Sequence, residues 1–297
     1  MWMKASGRWM AAALKDDIFI PLDLLEVNRC LSAGNNPAEQ FAGASIETAV
    51  HAVMPQRVVL HLHCVNTIAW AVRGDGFSHL QFRLQGLRWQ WIPWMPSGLP
   101  LARGMADALK KSPNTDVFVL ANHGLVVAGD DVQSIENLLA ELRRRLNISR
   151  SIAHPADYTL LHDIAKNSPW LLPDDDEIHA LATDPISRKI LSGGILFPCQ
   201  SIFSRNQGLR AFQPMSYDRS LEFRGDNAAF IIVEKCGVLV SADIGPAELA
   251  MLSGLANVVQ RLDSSAPIRY LSDEEIFGLA PQAIRSYCEL ANEASMG

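Results

Sequence analysis

The stretch Val58-Val59-Leu60-His61-Leu62-His63-Cys64-Val65 sets two histidines into a run of Val and Leu that reads as a half-buried strand. Side chains alternate across a strand, so Leu60, Leu62 and Cys64 face one layer and Val59, His61, His63 and Val65 the other. Two imidazoles side by side on an apolar strand either find separate backbone or water partners or share one metal ion. The surroundings bear on that choice. The strand, expected over 57–63, follows a helix from Glu47 to Met54 and precedes helices over 65–72 and 77–86. Then come a short strand at 89–93, an amphipathic helix from Leu99 to Lys111, two strands within 116–130 around Asn122-His123-Gly124, and a helix over about 131–146. An earlier strand is expected at 16–21. Helices mixed with strands, some joined by tight reversals, predict an α/β protein with a mixed or largely antiparallel sheet.

The chain has 297 residues, 48% apolar and 20% charged, with a net charge of −6. This is a globular balance with ample core. The longest basic run, Arg143-Arg144-Arg145, falls at a helix end, where cations complement the macrodipole. No nucleic-acid or anionic-membrane footprint is expected. Five cysteines (Cys30, Cys64, Cys199, Cys236 and Cys288) lack CxxC spacing and read as reduced thiols. The apolar start is broken by Ser6-Gly7-Arg8 and followed by Lys15-Asp16-Asp17, so it reads neither as a signal peptide nor as a membrane span. A cytoplasmic location is expected.

Periodicity lapses over 148–158, which contains His154-Pro155, and places a boundary between domains at 1–150 and 151–297. The second part opens with helices, one of them starting at the acidic run Asp174-Asp175-Asp176-Glu177, and strands are expected near 194–204. A hairpin follows. Its sequence, FIIVEKCGVLVSADI (230–244), lies without gaps over VFVLANHGLVVAGDD (117–131), so that Gly237 meets Gly124 and Asp243 meets Asp130. This suggests a repeated topology. Cys236 stands where His123 stands and the second part has no HxH, so a copy there would lack the metal chemistry.

Three histidines can converge: His61 and His63 on one strand face, and His123 at a reversal that Gly124 keeps tight. Glu47 lies on the helix just before the histidine strand. Three imidazoles and an open position suit catalytic Zn²⁺ or another divalent first-row ion. Glu47 can be an acid–base group or a first-turn residue after an N-capping Ser45.

The segments KASG (4–7), SIETAVHAVMP (45–55), VVLHLHCV (58–65) and LANHGLVVAGD (120–130) together resemble the class II aldolase/adducin family, in order and spacing. The resemblance implies a three-layer α/β/α sandwich, with the second, smaller α/β lobe an extension or degenerate copy. It implies His61, His63 and His123 as metal ligands, Glu47 as general acid/base, and Ser6, Gly7 and Ser45 as phosphate-binding positions. The implied activity is metal-dependent aldol cleavage of a small sugar phosphate or related hydroxy-carbonyl compound. Epimerase, dehydratase and non-catalytic adducin-like roles share the scaffold. A homo-oligomer, dimer or tetramer, is also implied. Members usually carry an Asn-containing helical segment before the KASG-like strand. This chain begins at that strand, so a longer native N-terminus or an incomplete anion pocket is expected. Trp94 stands near the place of a proton-donating Tyr, and an indole N–H cannot serve as that acid.

Other candidates read more plainly. His51 shares the Glu47 helix face and is expected to orient or pack. His79, His154, His162 and His179 are expected at the surface, and Trp89, Trp91 and Trp94 in core or interface packing.

Overall fold

The computed structural model describes residues 1–166, 168–205, 212–223, 228–279 and 289–291. Strands β1 (Trp2–Lys4) and β2 (Phe19–Pro21) form a small antiparallel pair. Helices α1 (Leu24–Ser32), α2 (Pro37–Gln40) and α3 (Thr48–Ala52) lead to the histidine strand β3 (Val58–Leu62). After it come α4 (Val65–Ala71), α5 (Gly76–Arg83), β4 (Trp89–Ile92), α6 (Leu99–Lys111), β5 (Val117–Leu120), β6 (Gly124–Gly129) and α7 (Val132–Leu146). The sheet order is β3-β6-β5-β4, antiparallel except for the parallel β4–β5 pair. The sheet is therefore mixed, as the tight reversals predicted.

Strand alternation builds two cores. Phe118, Leu120, Val126 and Ala128 turn to one side, where Val50, Leu101 and Met105 of α3 and α6 cover them. Val117, Val119, Leu125 and Val127 turn to the other side, against Trp70, Leu80 and Leu142 of α4, α5 and α7. Each fully buried Leu, Val or Phe contributes roughly 1.5–3 kcal/mol. His61 lies opposite Val126, and directly opposed residues share a face, so its ring points to the α3 side. There α3 carries Glu47 at its N-terminus.

Residues 147–157 have no helix or strand. Beyond them lie α8 (Tyr158–Ala165), β7 (Trp170–Leu171), a 3₁₀ turn at Asp176–His179, α9 (Ala180–Thr183), α10 (Pro185–Leu191), α11 (Pro198–Ile202) and α12 (Tyr217–Glu222). The chain continues through β8 (Phe230–Val233), β9 (Gly237–Ser241), α13 (Pro246–Val259) and α14 (Asp273–Phe277). The acidic run does start a helical turn, capped by the Asp175 carboxylate, which accepts from Glu177 N–H. The strands expected near 194–204 are instead the helix α11. Pro198 takes its first position, where the missing N–H costs nothing, and Gln200 Oε1 accepts from Leu196 N–H at 2.8 Å to close the preceding turn. Of the histidines expected at the surface, His79, His154 and His162 are exposed. His179 is not: it is buried, and its Nδ1 accepts from Val238 N–H at 3.0 Å. No disulfide joins the four cysteines among the described residues to one another. Cys288 lies outside the described residues.

The two hairpins agree bond for bond. Trp170 and Leu171 oppose Ser241 and Val240, as Val59 and Leu60 oppose Ala128 and Val127. Met215 runs parallel to Val233 as Ile92 runs parallel to Leu120. Lys235 and Asn122 both sit at positive φ, 63° and 52°, and donate their N–H to Ala182 and Ala71 respectively. The two halves also share a core, since Ile68, Ala69 and Val72 of α4 belong to the apolar cluster built around α13.

Candidate metal centre

His61 lies near the end of β3, and His63 just past it, on backbone that stays extended until Cys64 caps α4. Alternation therefore carries both rings to one side. His123 comes from the β5–β6 reversal. Asn122 takes the left-handed conformation there, which Asn tolerates better than most residues, and His123 N–H donates to Leu120 O at 3.1 Å. Asn122 is fully buried. Its amide donates to Leu196 O (2.8 Å) and Arg269 O (2.7 Å), and its Oδ1 accepts from Arg269 Nη1 at 2.7 Å. The reversal that aims His123 is thus held from the C-terminal half.

The three rings form a nearly equilateral triangle, with centroids 5.0, 4.9 and 5.0 Å apart and mutually edge-on. The Nε2 atoms of His61 and His63 are 3.1 Å apart, and one nitrogen from each ring lies within 4.8 Å of the others. Bonds of about 2.0–2.1 Å at a tetrahedral ion imply nitrogen separations of roughly 3.3 Å, so the His61–His63 spacing fits a shared ion. Burial holds His61 and His63 down to about 4 and His123 well below its ordinary value. At neutral pH all three rings are uncharged and offer lone pairs, the form that binds metals. His61 Nδ1, His123 Nδ1 and Glu47 Oε2 are buried with no hydrogen-bond partner in this structure. Unsatisfied buried groups are costly, and of these three atoms Glu47 Oε2 is the one placed beside the facing ring nitrogens, 4.0 Å from His61 Nε2. The donor set fits a divalent first-row ion.

Glu47 Oε2 lies 4.0 Å from His61 Nε2. Burial raises the Glu47 carboxyl to about 7, against a smaller opposing pull from His63. Glu47 occupies the cap position of α3 but makes no capping bond, so it does not act there as a helix cap. Ser45 is buried and its hydroxyl is likewise unpartnered. Ser6 N–H donates to Gly43 O, and Gly7, at φ 73°, packs so closely on Leu290 that a Cβ would stand 2.4 Å from the Leu290 Cβ. Gly7 shares a cleft with His63. Among the described residues no hydrogen bond joins Ser6 or Ser45 to the rings.

One neighbour of the rings had no signal in the sequence. Cys199 Sγ, on α11, lies 3.2 Å from His63 Nδ1 across 136 positions. His51 is held down to about 4 by burial, then by His61 and Lys4. This fits an orienting or packing role. Trp89 and Trp91 flank Phe77, and Trp94 packs on the C-terminal core.

The family model described as the class II aldolase and adducin N-terminal domain matches residues 1–149. A protein of Bacillus subtilis (strain 168) named uncharacterized oxidoreductase YuxG is 26% identical over 143 residues, 44% of this chain and 20% of that protein. The chain thus spans about a fifth of the length of the curated relative it matches. A solved structure, the N-terminal class II aldolase domain of a conserved protein from Thermoplasma acidophilum, is 25% identical. That match covers 46% of this chain and 60% of the other at a TM-score of 0.32, too low to bear on shape. Among the described residues no helix is long and apolar enough to cross a membrane.

Proposed function

The chain belongs to the class II aldolase and adducin family, and from that premise we propose a metal-dependent lyase of aldolase type. Its substrate is a small sugar phosphate or related hydroxy-carbonyl compound. His61, His63 and His123 hold the ion, with Zn²⁺ the expected occupant, and Glu47 is the acid–base residue. One observation carries the reading: three uncharged imidazoles converge beside a carboxylate whose Oε2 has no hydrogen-bond partner among the described residues.

When bound, such an ion stabilises negative charge developing on substrate oxygens. Retro-aldol cleavage breaks a carbon–carbon bond and leaves an enediolate, which must gain a proton at carbon. A carboxyl with a pKa of about 7 is near the optimum for taking and returning a proton at neutral pH. Its place at the start of α3, against the sheet core, fixes it beside the rings. Ser45, with an unpartnered hydroxyl, and Ser6-Gly7 are proposed to meet the substrate's anionic group.

The helix cover on both sheet faces supports a three-layer arrangement. The matching hairpin bonds support reading 151–297 as a degenerate copy of 1–150, with Cys236 in the place of His123. The test is a panel of ketose 1-phosphates incubated with metal-loaded and chelator-treated protein. Metal-dependent aldehyde release is expected. Stereochemical inversion or water loss without aldehyde moves the assignment to an epimerase or dehydratase, and no metal uptake at all defeats it.

A further inference from the structure

The cleft that reaches His63 is built by both halves of the chain and has a volume of about 390 Å³, within the range of small-molecule sites. One rim is cationic. The Lys4 ammonium spends two of its three donors on Ala5 O (3.1 Å) and Arg8 O (2.7 Å). Among the described residues neither Lys4 nor Arg8 meets a carboxylate. Burial pushes the Lys4 ammonium below its ordinary value, and an anion at the rim would reverse that push.

The rest of the lining is mostly apolar, a wall that comes mainly from the C-terminal half: Phe197, Ala250, Met251 and Val258, with Cys199 near His63. Gly254 lies within the continuous helix α13 on this wall, and a Cβ built there meets nothing within 4 Å. A mid-helix glycine costs about 1 kcal/mol against alanine, and here it leaves space in the cleft.

Resting on the metal-centre reading above, we infer that the substrate is an organic anion with an apolar body. Its carboxylate or phosphate sits where Lys4 and Arg8 flank Ser6-Gly7, its hydrocarbon or aromatic part lies along α13 toward Gly254, and its carbonyl lies at the His63 end.

The test is calorimetric binding to the full metal-free chain, so that the cleft is read without the ion. The probes are phenylphosphonate, phenylacetate, methylphosphonate and benzyl alcohol. Phenylphosphonate or phenylacetate should bind at least about tenfold tighter than either methylphosphonate or benzyl alcohol, and the tighter of the two identifies the headgroup. Gly254→Leu, which fits the open space and favours the helix, should reduce the aromatic anions to the level of methylphosphonate. Arg8→Glu should weaken both aromatic anions at least about tenfold and leave benzyl alcohol unchanged. Equal binding of methyl- and phenylphosphonate, or tight aromatic-anion binding that survives Gly254→Leu in a folded variant, would overturn the inference. A protein that binds these probes as expected but takes up no divalent ion would end the lyase reading and leave the cleft's specificity standing. Metal uptake without aromatic-anion preference would do the reverse.

Discussion

Replacing Gly124 with alanine probes how closely the two strands must approach at the metal centre. Gly124 opens β6 directly after His123, and a methyl group there would stand 2.6 Å from Leu62 O and 3.2 Å from His63 Cδ2. Real Cβ atoms essentially never come within 3.0 Å of such neighbours, so the strands must part by at least about 0.4 Å. The obstacle is backbone, at the end of the ladder where Leu62 pairs with Leu125, and cannot rotate away. Overpacking of this kind costs about 1–3 kcal/mol. Metal sites tolerate bond-length errors of about 0.2 Å, so the displacement moves His63 out of register with His61 and His123. The expected result is a fall of at least about tenfold in affinity for Zn²⁺, measured by competition with a chromogenic chelator. Urea unfolding should show the loss of about 1–3 kcal/mol. If Gly124→Ala binds the ion as tightly as the unaltered protein, the rings do not act as one cage and the reasoning fails, whatever happens to stability.

Asn122→Ala removes three side-chain hydrogen bonds to the C-terminal half and strands two carbonyls, so it should cost about 2–4 kcal/mol in urea unfolding. A loss under about 1 kcal/mol would mean the contact between the halves contributes little. Glu47→Gln should keep the bound metal and lower kcat by about 10²–10⁴, and unchanged turnover would remove Glu47 from the mechanism. Stability of the metal-free protein should fall on acidification. His61 and His63 have folded values of about 4 against an ordinary 6.5, so the unfolded chain binds more protons between those values. The stability present above pH 6.5 is therefore lost as pH falls toward 4. Glu47, raised from 4.5 to about 7, works the other way, since its contribution is present below 4.5 and lost as pH rises through 7. Two imidazoles outweigh one carboxylate, and His51 and His123 shift in the same direction as those two. A flat unfolding midpoint between pH 7 and 5 would contradict this balance.

What the sequence made legible was local. Alternation in β3 put His61 and His63 on one face, and Asn-His-Gly marked the reversal that carries His123, because strand period and left-handed turns depend on neighbouring residues. The contact of Cys199 with His63 spans 136 positions and has no local pattern to announce it. The run GGILFPCQSIF misled because its Ile, Leu and Phe are as much at home in a buried helix as in a strand. Pro198, at the first position of that helix, was the available sign. His179 looked solitary in sequence, yet Val238 N–H gives it a buried partner 59 positions away. The hairpin repeat was visible at Gly124 and Gly237, whereas β7, only two residues long, left no pattern to find.

The most direct measurement is the metal content of untagged protein after equilibration with Zn²⁺ and removal of the free ion. The account predicts about one ion per chain, and almost none for a folded His123→Ala variant. A chain that retains no ion under those conditions, or a His123→Ala variant that holds it as well as the unaltered protein, would contradict the claim that the three rings form one site.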